Sequence, residues 1–251
     1  MVDKNQAKKE MIKAAEPYEG YWEDSYDYVF SVMQQHFQNG PGEKMLELGC
    51  GRGEFIDRYA EYFEHIIAVE KDPKSRDQAM EKAYWNDIEN IEFLGDPANE
   101  DGLDTESFDF ILLGQSLQYM PEDDFEETME KSVELLKKGG RVAIIVPHRK
   151  PGQEIYTQIY ADEKGEYVSE KIDSEAFNDL AAVNRGPLAM KRFSIQDFQN
   201  FESLNLVEAR VFHDVLLPSY FDRFLPRDRI INLPFLKKYF GSRLMLVLEK
   251  A

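Results

Sequence analysis

Short apolar runs alternate with amphipathic stretches between residues 41 and 147. The runs are rich in Leu, Ile, Val and Phe and are flanked by Gly, Pro and acidic residues, as is typical of buried strands. The amphipathic stretches repeat apolar residues every three or four positions, as helices do. The five predicted strands lie at residues 45–48, 66–69, 91–94, 108–113 and 142–147. Strands that alternate with helices predict an α/β fold with a parallel sheet and right-handed crossovers.

The chain on either side of this pattern is organised differently. Residues 1–40 predict two helices separated by an aromatic cluster at 18–22, and we interpret this segment as an N-terminal helical lid. Two more strands are predicted at 206–212 and 243–249. We therefore predict one domain over residues 41–251, preceded by the lid.

Two long segments of that domain lack the alternating pattern. Residues 148–193 are polar, aromatic and irregular, and residues 213–242 are interrupted by Pro218, Pro226 and Pro234. Connections of this length are more often functional or disordered than neutral. We predict that both segments cover a substrate.

Three glycines at alternate positions, Gly49, Gly51 and Gly53, follow the first strand. A turn between strand and helix is where a doubly wound sheet brings its backbone close to a ligand. A dinucleotide fingerprint requires its third glycine at position 54, where this chain has Glu54. Glu47 precedes the turn, and two unit charges ~4 Å apart interact by roughly 4 kcal/mol at an effective dielectric of ~20. The turn should therefore repel a pyrophosphate and attract a cation.

A second carboxylate, Glu70, stands at the end of the second strand. A carboxylate in this place can accept hydrogen bonds from both hydroxyls of a ribose. Asp72 and Pro73 follow it as the N-cap and first residue of the next predicted helix. Glu70 therefore indicates a ligand that contains adenosine, although a solvated acid at a strand end is the alternative.

Acidic residues crowd the start of the helix predicted after the fourth strand, at positions 122–127. We interpret them as charges that favour the helix dipole, not as a metal site. Lys137 and Lys138 stand at the predicted other end of this helix, and we expect Gly139 and Gly140 to terminate it.

The run Glu47-x-Gly49-x-Gly51-x-Gly53 resembles motif I of class I S-adenosylmethionine-dependent methyltransferases, and the chain is similar to the methyltransferase type 11 group, many of which modify small metabolites. S-adenosylmethionine carries a sulfonium and an ammonium and no phosphate, which suits Glu47. The resemblance implies a Rossmann-like sheet of seven mostly parallel strands in the order 3-2-1-4-5-7-6, with the last strand antiparallel and helices on both faces. It also implies S-adenosylmethionine as cofactor and S-adenosylhomocysteine as product.

The same resemblance implies the residues of a cofactor site. Asp96 would accept a hydrogen bond from the adenine amino group, and Pro97, which has no N–H, replaces the family's usual alanine. The stem of Lys71 would pack beside the adenine, and the backbone of the loop at Gln115 would face the methionine ammonium. The full set of cofactor residues so implied is Glu47, Gly49, Cys50, Gly51, Gly53, Glu70, Lys71, Asp96, Pro97 and Gln115.

Methyl transfer from a sulfonium is an in-line displacement, so the protein mainly aligns the reactants in a dry cavity. A base is needed only if the acceptor must lose a proton. The candidate catalytic residues are His148, Tyr21, Gln118 and Tyr119, with Tyr18 beside them. For His148 the alternative is a surface histidine, and for Tyr18 and Tyr21 it is packing of the N-terminal helix. The scattered histidines have no metal-ligand spacing.

Composition narrows the choice of partners and compartment. The net charge of −18 argues against binding nucleic acid, because that requires Lys and Arg to neutralise phosphates. The single cysteine excludes an internal disulfide and fits a reducing cytoplasm. No apolar run approaches the ~18 residues of a membrane span.

We predict a cytoplasmic methyltransferase that acts on an oxygen or nitrogen of a small-molecule substrate. An RNA or protein methyltransferase, a non-catalytic partner subunit that binds S-adenosylmethionine, and an NAD oxidoreductase are the alternatives.

Overall fold

The computed structural model describes residues 29–37, 42–95, 103–161, 167–183, 188–212 and 243–251. Within these ranges the strands are β1 (Gly42–Leu48), β2 (Phe63–Val69), β3 (Ile91–Leu94), β4 (Phe108–Gly114), β5 (Leu136–Pro147), β6 (Tyr156–Ala161), β7 (Tyr167–Lys171), β8 (Leu188–Lys191), β9 (Leu204–Phe212) and β10 (Arg243–Lys250). The α-helices are α1 (residues 29–33), α2 (Ile56–Tyr59), α3 (Pro73–Trp85), α4 (Glu122–Leu135) and α5 (Ser174–Val183). Most of the predicted lid and the predicted cover at 213–242 lie outside the described residues.

Seven strands form the main sheet in the order β3-β2-β1-β4-β5-β10-β9. Neighbours from β3 to β5 are parallel, whereas β10 runs antiparallel to both β5 and β9. Since β9 and β10 are the sixth and seventh strands of this sheet, the order is the 3-2-1-4-5-7-6 implied by the sequence, and the predicted fold class is confirmed. The strand order reverses between β1 and β4, which is where such sheets open a crevice for a ligand.

The central strands are buried on both faces, which explains why they appear in the sequence as continuous apolar runs. Met45, Phe110 and Ile145 point into one core, while the adjacent Leu46 and Ile111 point into another. Residues of α1, α2 and α3 pack into the first core, and residues of α4 pack into the second. Helices thus cover both faces. Among the described helices, none is both long and apolar enough to span a membrane.

The predicted end of α4 was wrong. β5 begins at Leu136, before the two glycines that were expected to stop the helix. Lys137 lies in this strand, and its Nζ contacts both carboxylate oxygens of Asp109 at 2.9 Å. A Cβ on Gly140 would lie 3.0 Å from the carbonyl oxygen of Phe108. Gly140 therefore permits the close approach of β5 to β4 at the point where their register shifts.

The segment 148–193 contains a second sheet that the sequence analysis missed. Its three antiparallel strands have the order β7-β6-β8, and α5 packs beside them. Tyr156 on β6 stacks against Phe177 on α5 with ring centroids 5.0 Å apart. Both Tyr156 and Lys191 donate hydrogen bonds to Glu122, the latter over 2.7 Å. The first acid of α4 therefore attaches the small sheet to the main domain, beyond any effect on the helix dipole.

Candidate functional site

The glycine turn (residues 49–53) is shaped by left-handed backbone and by the segment that follows β4. The φ angles of Gly49, Gly51 and Gly53 are +81°, +57° and +78°, a region that side chains disfavour. A Cβ on Gly49 would lie 2.6 Å from the Cβ of Ser116. The absence of a side chain at Gly49 thus allows the turn to pack directly against the end of β4.

Glu70 fastens the turn to the end of β2. Its Oε2 accepts a hydrogen bond from the Gly51 N–H, and its Oε1 accepts one from the Asp72 N–H, both at 2.9 Å. The Glu70 carbonyl accepts a further bond from Arg76 Nη1 at 2.7 Å. Each carboxylate oxygen still has a lone pair for another donor, so the predicted role toward a ribose is compatible with this arrangement. Lys71 follows with an exposed side chain.

Glu47 is completely buried at the end of β1. Its Oε2 accepts a hydrogen bond of 2.5 Å from the Tyr59 hydroxyl, while its Oε1 has no hydrogen-bond partner among the described residues. Burial raises the pKa of this carboxyl from 4.5 to about 8, against the lowering effect of Tyr59. Glu47 is thus mostly protonated at neutral pH, and a cation beside Oε1 would favour its charged form.

Four buried polar atoms in the described part of the chain lack a hydrogen-bond partner, and all four lie where β1 and β4 end. They are Glu47 Oε1, Gln115 Nε2, Ser116 Oγ and Gln118 Oε1. A Cβ on Gly114 would lie 3.7 Å from Glu47 Oε1, which places the two strand ends in direct contact. An unsatisfied buried polar group costs about 1–3 kcal/mol, so four of them together indicate a site that a ligand completes.

Backbone and side-chain bonds hold the segment after β4 in place. Gln115 adopts a left-handed φ of +61°, which is uncommon for a residue with a side chain, and its N–H donates to the Ile145 carbonyl at 2.9 Å. Gln118 Nε2 donates to Gln115 Oε1 at 3.2 Å. The amide atoms that remain without a partner are therefore a donor, Gln115 Nε2, and an acceptor, Gln118 Oε1.

The remaining predicted residues occupy different surroundings. Cys50 is buried in the core, and burial together with Glu47 and Glu70 raises the pKa of its thiol well above the ordinary range. Cys50 is therefore a neutral, space-filling residue of the turn. Tyr119, by contrast, is 46% exposed at the rim of the site.

His148 follows β5 and forms an isolated bridge with Phe193. It lines a cavity of about 440 Å³ together with Arg149, Lys150, Pro151, Gly152, Gln153 and Ile155. Because β5, β4 and β1 are parallel, the residues that line this cavity follow β5 at the same edge of the sheet as the glycine turn.

Four predicted residues, Tyr18, Tyr21, Asp96 and Pro97, lie outside the described residues, and their roles stay predictions. Tyr59 and Ser116 were not predicted from the sequence as site residues. A tyrosine on the apolar face of a helix was a usable signal, because a buried hydroxyl needs a partner. No signal marked Ser116, whose position depends on the left-handed backbone before it.

Comparison with known proteins agrees with this geometry. Residues 45–140 match the family model for a methyltransferase domain. An uncharacterized methyltransferase from Anoxybacillus flavithermus is 27% identical over 119 residues, which cover 47% of this chain and 52% of that protein. Aklanonic acid methyltransferase from Streptomyces sp. (strain C5) is 26% identical over 114 residues, which cover 44% of this chain and 51% of that protein. The chain thus spans about half the length of these relatives.

The fold is also shared with solved structures. Geranyl diphosphate C-methyltransferase from Streptomyces coelicolor A3(2), solved with S-adenosyl-L-homocysteine, superposes with a TM-score of 0.59 at 14% identity. The match covers 90% of this chain and 77% of that one. Residues 45–140, which include the glycine turn, therefore match a methyltransferase domain, and the main sheet has the strand order of the class I, Rossmann-like methyltransferase fold.

Proposed function

We propose that this protein transfers a methyl group from S-adenosylmethionine to an oxygen or nitrogen of a small molecule. The observation that supports this most is the group of four buried, unpartnered polar atoms at the ends of β1 and β4. Gln118 Oε1 accepts hydrogen bonds, Glu47 Oε1 accepts them once the carboxyl is ionised, and Gln115 Nε2 donates them. The Ser116 hydroxyl can do either.

This set of donors and acceptors complements the amino-acid end of the cofactor. An ammonium would satisfy Glu47 Oε1 and Gln118 Oε1, and a carboxylate would satisfy Gln115 Nε2 and the Ser116 hydroxyl. Hydrogen bonds to charged groups contribute about 1.5–3 kcal/mol each, so pairing all four atoms would stabilise the complex considerably. A dinucleotide offers no such group, and its pyrophosphate would lie against the buried acid.

The adenosine end would lie toward β2 and β3. Glu70, already oriented by the two N–H groups of Gly51 and Asp72, would accept bonds from the ribose hydroxyls. We expect Asp96 and Pro97 beside the adenine, with the Lys71 stem covering it. The backbone of the turn formed by Gly49, Cys50, Gly51 and Gly53 would lie beside the cofactor.

S-adenosylmethionine would supply a methyl group that is already activated. The protein would hold the acceptor in line with that group and exclude water. The cavity lined by His148 follows β5 at the carboxyl edge of the sheet and would be a suitable place for an acceptor. His148 could accept a proton from a hydroxyl or amine there, and Tyr119 and Gln118 could orient it, with Tyr21 in the N-terminal segment as a further candidate.

Two observations favour a small acceptor. The net charge of −18 disfavours a nucleic acid, and the relative from Streptomyces sp. (strain C5) is named for a small organic acid. The segments 148–193 and 213–242 would then cover the acceptor, and the part of the N-terminal lid that precedes α1 would close over the cofactor.

The test is turnover with S-adenosylmethionine and a panel of small hydroxyl- and amine-bearing acceptors. We expect S-adenosylhomocysteine and a methylated acceptor in equal amounts, detected by mass spectrometry. Gln118→Ala should reduce turnover, whereas Gln199→Ala, at an exposed position outside the site and both covering segments, should not. Tight cofactor binding with no turnover until a second protein is added would instead indicate a partner subunit.

A further inference from the structure

The buried pair of Glu47 and Tyr59 has a role that the family resemblance does not supply. We propose that Tyr59 is the positioning residue that fixes Glu47 with Oε1 toward the cofactor, and that the cofactor ammonium binds in exchange for a proton on Glu47. This inference rests on the proposed function, because it needs a cationic ligand at Oε1.

The geometry provides the first argument. Both side chains are fully buried, and the Tyr59 hydroxyl donates to Glu47 Oε2 at 2.5 Å. That bond occupies one oxygen and leaves the other, Oε1, facing the strand ends without a partner among the described residues. Phe55 and Gly114 pack so closely here that a Cβ on Gly114 would lie 2.6 Å from the Phe55 ring. The carboxyl is therefore held in one orientation by a bond on one side and by close packing on the other.

The charges around Glu47 provide the second argument. Glu54 from the turn and Glu70 from the end of β2 both disfavour its ionisation, and Lys82 from α3 favours it. Lys82, however, is already engaged by Asp57 at 2.7 Å and by the Gly53 carbonyl at 2.8 Å.

On the β4 side, the Cβ position of Gly114 lies 3.7 Å from Glu47 Oε1, and the buried polar side chains that follow it, Gln115, Ser116 and Gln118, carry no charge. The thiol of Cys50 is neutral as well, since burial raises its pKa. In the described part of the chain, no cation therefore contacts Oε1. The carboxyl keeps its proton until a ligand places a cation beside Oε1.

The exchange balances in atoms and charge. The ligand arrives with its ammonium protonated, the Glu47 carboxyl releases one proton to solvent, and a carboxylate–ammonium pair forms. Affinity should therefore rise with pH until the carboxyl is ionised in the free protein, at about pH 8. The Tyr59 hydroxyl lowers the pKa of Glu47. Removing this hydroxyl should therefore raise the pH at which the affinity stops increasing.

The experiment is calorimetric titration with S-adenosylhomocysteine, which carries the same ammonium, in buffers that differ in ionisation enthalpy. At pH 6.5 we expect about one proton released per ligand by the wild type, and at pH 8 about half a proton. Tyr59→Phe should still release about one proton at pH 8 and should bind about tenfold more weakly than wild type at pH 7. Tyr62→Phe is the matched control, since it removes a surface hydroxyl from the same segment, and it should behave as wild type.

The outcomes separate the possible explanations. If Tyr59→Phe loses thermal stability but keeps the wild-type proton count and pH profile, Tyr59 is only structural and the proposal fails. If Tyr59→Phe does not fold, Glu47→Gln decides: it should bind weakly with no proton released at pH 6.5, and release of a full proton would overturn the exchange. If the wild type binds the ligand at no pH, the proposed function fails first.

Discussion

Replacing Glu47 by glutamine should make the ligand-free protein more stable than the wild type, and this difference should grow as the pH rises. The two side chains have nearly the same shape, and the side-chain carbonyl oxygen of the glutamine can still accept the Tyr59 hydrogen bond. What changes is that glutamine cannot be ionised. The wild-type protein, in contrast, must either keep a proton on Glu47 or hold an unpaired charge in a fully buried position.

The magnitude follows from the pKa of the carboxyl, which is 4.5 before burial and about 8 in the folded protein. Between these values the folded state binds more protons than the unfolded state, so the free energy of unfolding falls as the pH rises through this window. At about 1.4 kcal/mol per pH unit, the whole window corresponds to roughly 5 kcal/mol. About 4 kcal/mol of this should develop between pH 5 and pH 9, where glutamine avoids the loss.

Urea denaturation of both proteins at pH 5, 7 and 9, followed by circular dichroism, measures this difference. The free energy of unfolding of Glu47→Gln should increase relative to wild type by about 4 kcal/mol from the lowest to the highest pH. Glu64→Gln, at an exposed position on β2, is the matched control and should show no such trend. A constant difference between Glu47→Gln and wild type at all three pH values would refute the reasoning that the buried carboxyl is destabilised.

Two further substitutions test the walls of the site. Gly49→Ala should cost about 2–5 kcal/mol in urea denaturation, because it adds left-handed strain and places a Cβ 2.6 Å from the Cβ of Ser116. Gly139→Ala is the control, because Gly139 has a φ of +76° and nothing lies within 4 Å of the added Cβ. It should lose only the stability that backbone strain costs, and an equal loss in both variants would contradict the close approach of Gly49 to Ser116. Glu70→Ala should weaken S-adenosylhomocysteine binding roughly 100-fold in calorimetry, since two bonds to ribose and the anchor of the Gly51 amide are lost. Unchanged affinity would remove Glu70 from the site.

The alternation of strands and helices made the main sheet predictable from sequence. Residues 91–94 were predicted with both ends correct, and Asp72 caps α3 through the Ser75 N–H as expected. These features depend on local patterns and on burial of both sheet faces, which leave clear traces in a sequence. The glycine turn was predictable as well, because the spacing of its glycines is a local sequence pattern.

The contacts that complete the site depend on tertiary structure and left no such trace. Ser116 approaches Gly49 because Gln115 adopts a left-handed backbone, and Tyr59 reaches Glu47 across the core. The small sheet was missed because the polar contacts that attach it, from Tyr156 and Lys191 to Glu122, leave no trace in a pattern of apolar positions.

The most direct test of the account is calorimetric titration of the wild-type protein with S-adenosylhomocysteine and, separately, with NAD⁺ at pH 8. We expect S-adenosylhomocysteine to bind at one site per chain and NAD⁺ to give no detectable heat of binding. The reason is that only the first ligand offers an ammonium and a carboxylate to the unpartnered atoms of Glu47, Gln115, Ser116 and Gln118. Binding of NAD⁺ in the absence of S-adenosylhomocysteine binding would contradict the assignment of this site.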